Sequence, residues 1–195
     1  MSESREIEVL ERLAEVLDTL GIPYAIGGSI ASSMYGTVRF TRDADIALYP
    51  FTSVADRFYE MLKGEFYISE EAMQQALTCC GSFSIIHFET AFKIDLFLLG
   101  PSDFEQQLLV RSRIVRLGES AEGELCFVSP EDVVLLKLRR LSEGGGGSEH
   151  QWDDILGVLA VQGRTLDFRY LAQYAKILGV EDPLERAIAE AATYV

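Results

Sequence analysis

The chain has 195 residues, 48% hydrophobic and 25% charged, enough to bury one sizeable core with a small appendage and too apolar for a disordered chain. Its net charge of −14 repels a nucleic-acid backbone and disfavours non-specific DNA or RNA binding, although Arg111, Arg113 and Arg116, or Lys137, Arg139 and Arg140, leave recognition of a particular RNA end open. No apolar stretch is long enough to span a bilayer, no export-type start precedes the three cysteines, and no Cys/His spacing suits zinc; the expectation is a cytoplasmic protein with reduced thiols whose metal would be a hard cation on oxygen ligands.

Residues 4–20 place Ile7, Leu10, Leu13, Ala14, Leu17 and Leu20 at helical spacing, and Gly21-Ile22-Pro23 ends the pattern, which predicts an amphipathic first helix. Tyr24-Ala25-Ile26 reads as a short strand running into Gly27-Gly28, with Ser29 as the expected N-cap of a helix through Tyr35 that Gly36 closes. Alternation over 43–49 predicts a strand with Asp43 and Asp45 on one face and Ala44 and Ile46 on the other. After Pro50 come a helix over 53–62, a strand over 66–68 and a helix over 70–78. Segments 82–88 and 91–99 are rich in Phe and Ile and read as an antiparallel pair joined tightly at Glu89-Thr90. A helix over 101–111 and short strands near 114–117 and 125–128 complete a core assigned to residues 1–128.

Ser129-Pro130-Glu131-Asp132 is a helix start, with Ser as N-cap, Pro at the first helical position and acids in the first turn, and that helix runs to about 141. The glycine run in 143–149 is a flexible loop, compatible with a natural glycine-rich segment and with an engineered linker alike. Helices over 150–161, 168–178 and 183–193 follow, with Asp167 and Asp182 as expected caps and Pro183 at a first helical position. The fold class is therefore α/β, a small mixed sheet flanked by helices, with a helical C-terminal region over 129–195.

Two features carry chemistry. Small residues at Gly27-Gly28-Ser29 let backbone N–H groups approach a polyphosphate, and the carboxylates of Asp43-Ala44-Asp45 suit a divalent cation. Taken singly, the first is an ordinary strand-to-helix turn and the second a solvated strand face. Asp95, flanked by Ile94, Leu96, Phe97, Leu98 and Leu99, is costly unless it faces a partner, a cleft or water.

In order and together, Gly28-Ser29, Asp43-x-Asp45 and Asp95 resemble the signature of the nucleotidyltransferase superfamily related to DNA polymerase beta and kanamycin nucleotidyltransferase, over roughly residues 22–99. The stretch from Arg39 to Asp45, with Ser129 to Asp132, Leu136-Lys137-Leu138 and Trp152-Asp153-Asp154-Ile155, is similar to small uncharacterised bacterial nucleotidyltransferases that themselves resemble abortive-infection toxin nucleotidyltransferases. The resemblance implies transfer of a nucleoside monophosphate from an NTP, with two Mg²⁺ ions bridging carboxylates and phosphates and pyrophosphate leaving. By the same resemblance Asp43, Asp45 and Asp95 hold the metals, Asp95 accepts the proton of the attacking hydroxyl, and Gly27, Gly28 and Ser29 anchor the leaving phosphates. Three carboxylates aimed at one point repel by roughly 4 kcal/mol per pair at about 4 Å and an effective dielectric near 20, which a cation removes.

Arg39 and Arg42 read equally as triphosphate ligands or as charge compensation beside the aspartates, and Lys137 as a phosphate or base contact or as a snorkelling lysine. Asp154 joins Lys137 as a candidate site residue. Tyr24, Tyr35 and Tyr49 are read as core, Cys79-Cys80 as packing a helix end, and His87 as a satisfied interior histidine. The acceptor is left open among a tRNA end, a protein hydroxyl and a small molecule, the last suited by an acidic surface. The rival reading is a catalytically silent member acting as an antitoxin or interaction partner, with a protein partner also able to supply specificity to an active one.

Overall fold

The computed structural model describes residues 2–116, 124–144 and 148–193. In chain order the elements are α1 (Ser2–Leu20), β1 (Tyr24–Ile26), α2 (Gly28–Tyr35), β2 (Asp43–Leu48), α3 (Ala55–Leu62), β3 (Phe66–Ile68), α4 (Glu70–Cys79), β4 (Ser82–His87), β5 (Lys93–Leu98), α5 (Asp103–Val110), β6 (Arg113–Arg116), β7 (Glu124–Phe127), α6 (Pro130–Ser142), α7 (Ser148–Gln162), α8 (Phe168–Leu178) and α9 (Glu181–Ala191). Short 3-10 turns lie at Thr52–Val54 and Gly163–Thr165. The chain divides into two compact units, one of Met1–Ile26 with Arg42–Phe127 and one of Gly27–Thr41 with Val128–Val195.

The first unit holds the sheet, in the order β3-β4-β5-β2-β1-β7-β6. It is mixed: β2 runs parallel to β5 and β1 parallel to β7, while β1/β2, β3/β4, β4/β5 and β6/β7 are antiparallel. Helix α1 buries Leu10, Leu13 and Leu17 along one stripe and packs on α3 and β7. It ends where Gly21 adopts φ +65° and the Ile22 N–H bonds the Leu17 carbonyl at 2.9 Å, a closure that a residue with a Cβ resists. Phe58 of α3 joins the sheet side through an edge-on contact with Phe83 of β4, ring centres 6.4 Å apart.

Helices α2 and α6 to α9 form the second unit. The Ser129 hydroxyl accepts the Asp132 N–H at 3.2 Å, and Pro130 sits where its missing N–H costs nothing. The acids that follow are buried: Asp132 accepts from Ser129 Oγ and from the Tyr170 hydroxyl, each at 2.7 Å, and Glu131 Oε1 accepts the Asp167 N–H at 2.8 Å. The helix start thus also fastens α8 to α6. A Cβ on Gly36 would lie 2.7 Å from backbone atoms of Gly157 and Val158, so glycine is what lets the end of α2 meet α7.

Several expectations change. Gly27, not Ser29, is the N-cap of α2, and Gly28 takes φ +58°, so two glycines make the turn and Ser29 lies inside the helix. Segment 27–41, read as core from the sequence, joins the helical unit because α2 packs on α6 and α7. Helix α9 starts at Glu181 after Val180 as N-cap, which places Asp182 and Pro183 within the first turn, where N–H groups have no intrahelical partner to lose. The expected helix over 53–62 opens with the 3-10 turn. Tyr24 and Tyr35 are buried but Tyr49 is 48% exposed, and Cys79 and Cys80 are exposed, Cys80 closing α4 at φ +50° rather than packing. His87 Nδ1 lies 3.0 Å from Thr90 Oγ1. The glycine run over 145–147 and residue 117 lie outside the described residues. No helix among the described residues is long and apolar enough to cross a membrane.

Candidate functional site

In the sheet unit, β2 and β5 alternate in the same phase. Ala44, Ile46 and Leu48 with Ile94, Leu96 and Leu98 are buried, while Asp43, Asp45 and Ala47 with Lys93, Asp95 and Phe97 occupy the more open face. The parallel register sets Asp45 opposite Asp95 and Asp43 opposite Lys93. The apolar flanks of Asp95 therefore belong to the covered face or lie along the strand, and its carboxylate, 22% exposed, points away from the core. Ser84, its neighbour across β4, donates to Asp95 Oδ1 at 2.5 Å, and Lys93 Nζ reaches the same carboxylate at 2.7 Å.

Three carboxylates on one sheet face are a hard-oxygen donor set, and that chemistry fits Mg²⁺. Among the described residues, however, no three His, Cys, Asp or Glu side chains are gathered closely enough to hold an ion. Lys93 stands on Asp95 instead.

In the helical unit, a second group is built around Asp154, whose side chain is 5% exposed. Lys137, equally buried, donates to Asp154 Oδ2 at 2.8 Å and to Gln151 Oε1 at 3.2 Å. The Arg39 guanidinium lies 3.4 Å from both Asp154 oxygens and donates to Ser29 Oγ at 2.6 Å. Ser33 fixes the backbone of Arg39: its hydroxyl accepts the Arg39 N–H and donates to the Arg39 carbonyl, both at 3.1 Å. Burial alone pushes the Asp154 carboxyl up, but the hydrogen bond and charge of Lys137, then those of Arg39, outweigh it and hold the pKa below the usual carboxylate value. Lys137 and Arg39 share this one carboxylate, and Arg39 brings a positive charge to Ser29 in the first turn of α2, where an anion is favoured.

Thus Asp43, Asp45 and Asp95 share one face of the sheet unit, and Ser29, Arg39, Lys137 and Asp154 form one connected group in the helical unit beside Gly27 and Gly28. Arg42 is exposed at the start of β2. Lys137 does not snorkel; its ammonium ends inside on Asp154. Lys93, Ser84, Ser33 and Gln151 were missed by the sequence reading. Lys93 carried a signal, since two residues before Asp95 on a strand is the same face, whereas Ser84 required the β4/β5 register. The basic cluster at 137–140 disperses, with Lys137 buried and Arg139 paired to Glu143 at 2.9 Å.

Two solved structures share this fold. One is an antigenic nucleotidyltransferase-like protein from Paracoccidioides brasiliensis, 15% identical, with a TM-score of 0.54 over 93% of this chain and 91% of that one. The other is the antibiotic-resistance factor ANT(2'')-Ia, 14% identical, with a TM-score of 0.55 over 98% of this chain and 97% of that one. At such identities the likeness establishes a nucleotidyltransferase-like fold. No protein-family model matches the chain, and no curated protein does.

Proposed function

We propose that this chain, with its nucleotidyltransferase-like fold, transfers a nucleoside monophosphate from an NTP to a hydroxyl acceptor. The observation that carries the reading is the placement of Asp43, Asp45 and Asp95 on one open sheet face, with Asp45 and Asp95 in register. Asp43, Asp45 and Asp95 would hold Mg²⁺, which when bound supplies charge neutralisation of the triphosphate and of the departing pyrophosphate. Asp95 takes the proton of the acceptor hydroxyl; the acceptor oxygen bonds the α-phosphorus, and the bond from that phosphorus to the bridging oxygen breaks to release pyrophosphate. Within the helical unit, Gly27, Gly28 and Ser29, at the start of α2, and Arg39, held by Ser33 and Asp154, are the groups suited to phosphate oxygens. Arg42 adds an exposed cation, and buried Lys137 acts by seating Asp154. A cytoplasmic setting supplies both NTP and Mg²⁺. The acceptor is a tRNA end, a protein or a small molecule, with a protein partner as one source of specificity.

A second reading is favoured by a specific observation. No ion-holding group of three is gathered among the described residues, as a catalytically silent antitoxin or interaction partner of the same fold would have it. Calorimetric titration of the four NTPs, with and without Mg²⁺, separates the two. Under the first reading at least one NTP binds in a Mg²⁺-dependent way, and Asp43→Ala/Asp45→Ala loses that binding while keeping its circular dichroism. Absence of binding by every NTP selects the second.

A further inference from the structure

On the open face of β2 and β5 the three aspartates stand beside one lysine. Lys93 lies directly across from Asp43 in the parallel register, two residues before Asp95 on its own strand and diagonal to Asp45. Its ammonium sits 2.7 Å from the Asp95 carboxylate, which Ser84 holds from the other side at 2.5 Å. The ammonium offsets the charge of one carboxylate of the face, and it does so at Asp95, a carboxylate that a cation would need.

We propose that Lys93 is a built-in competitor for the divalent cation. Without a ligand its ammonium pairs with Asp95 and lowers the negative charge of the carboxylate face; a cation takes Asp95 as a ligand only by displacing it. The lysine therefore weakens binding of the bare cation and leaves the acids ready for one that arrives with an anionic ligand, whose phosphates give the released ammonium a new counter-ion. Lys93 is on this account a positioning residue, and the proposal rests on reading Asp43, Asp45 and Asp95 as cation ligands. With its side chain 46% exposed, the lysine can swing away without opening the core.

The test is titration of Mn²⁺, without nucleotide, into the full chain and its variants, followed by calorimetry and by the electron paramagnetic resonance of the unbound ion. Lys93→Met binds Mn²⁺ about five- to tenfold more tightly than the parent, the scale expected when a partly exposed ion pair is removed together with its repulsion of the ion. Lys93→Arg, which restores the charge, returns the affinity to the parent value, and Asp95→Asn loses the ion. Circular dichroism and melting temperature identify any variant that misfolds, with Lys93→Gln as the alternative to the Met variant. If Lys93→Met binds no more tightly than the parent while Asp95→Asn still loses Mn²⁺, the competitor is overturned and the cation face stands. If no protein in the series binds Mn²⁺, both fall.

Discussion

Asp154 illustrates how a single side chain organises its surroundings. It is buried, yet it carries Lys137 at 2.8 Å and Arg39 at 3.4 Å, and through Arg39 it reaches Ser29. Removing Lys137 takes the nearer of two cations from a buried carboxylate and leaves Arg39 facing it, so Lys137→Met is expected to lose about 1–3 kcal/mol in urea unfolding at neutral pH. The pH dependence has a definite sign. The folded pKa of Asp154 is depressed, so its contribution is complete above the ordinary aspartate value of about 3.9 and disappears as pH falls through the lowered value. The stability difference between parent and Lys137→Met should therefore shrink as the pH is taken from 5 down to about 2; a difference constant over that range would show that the lost energy is packing rather than charge. From sequence, Lys137 was legible only as a lysine on an apolar helix face. Its partner lies seventeen residues away on another helix, a pairing that periodicity does not report.

At the level of elements, local chemistry was a good guide wherever the end of an element is set by its own residues. Ser129-Pro130 and Asp167 act as read, and the β4/β5 pairing is antiparallel as expected. It failed where a neighbour decides. Ser29 looks like a cap, but Gly27 and Gly28 already make the turn, and its hydroxyl receives Arg39 instead. Asp182 looks like a cap, but the helix starts two residues earlier than read, straight after Val180, which is buried. Gly36 looked like a simple stop, whereas its absent side chain is what α7 packs against. Gly36→Ala would bring a Cβ to 2.7 Å from backbone atoms, which cannot move as a side-chain end can. It is expected to lower the unfolding free energy by about 1–3 kcal/mol, read from the urea midpoint, the scale of an overpacked contact. The same substitution at Gly64, where a Cβ meets nothing within 4 Å, should leave the midpoint nearly unchanged.

For the molecule as a whole, net charge is the property that needs no structure. At −14, with Arg139 paired to Glu143, Arg116 to Glu124 and Lys137 buried, the chain should pass unretained through a heparin column at about 0.1 M salt; retention would reveal a basic surface that these pairings do not suggest. Composition, element order and the face on which Asp43 and Asp45 stand were determined by the sequence alone, because strand alternation and helix periodicity are local. That Asp45 lies opposite Asp95, that Ser84 meets Asp95 from the next strand, and that residues 27–41 belong with the C-terminal helices were decided only by the tertiary structure. Each depends on which strands pair, in what register, and which helices pack, and those choices join residues tens of positions apart whose types would suit other partners equally well.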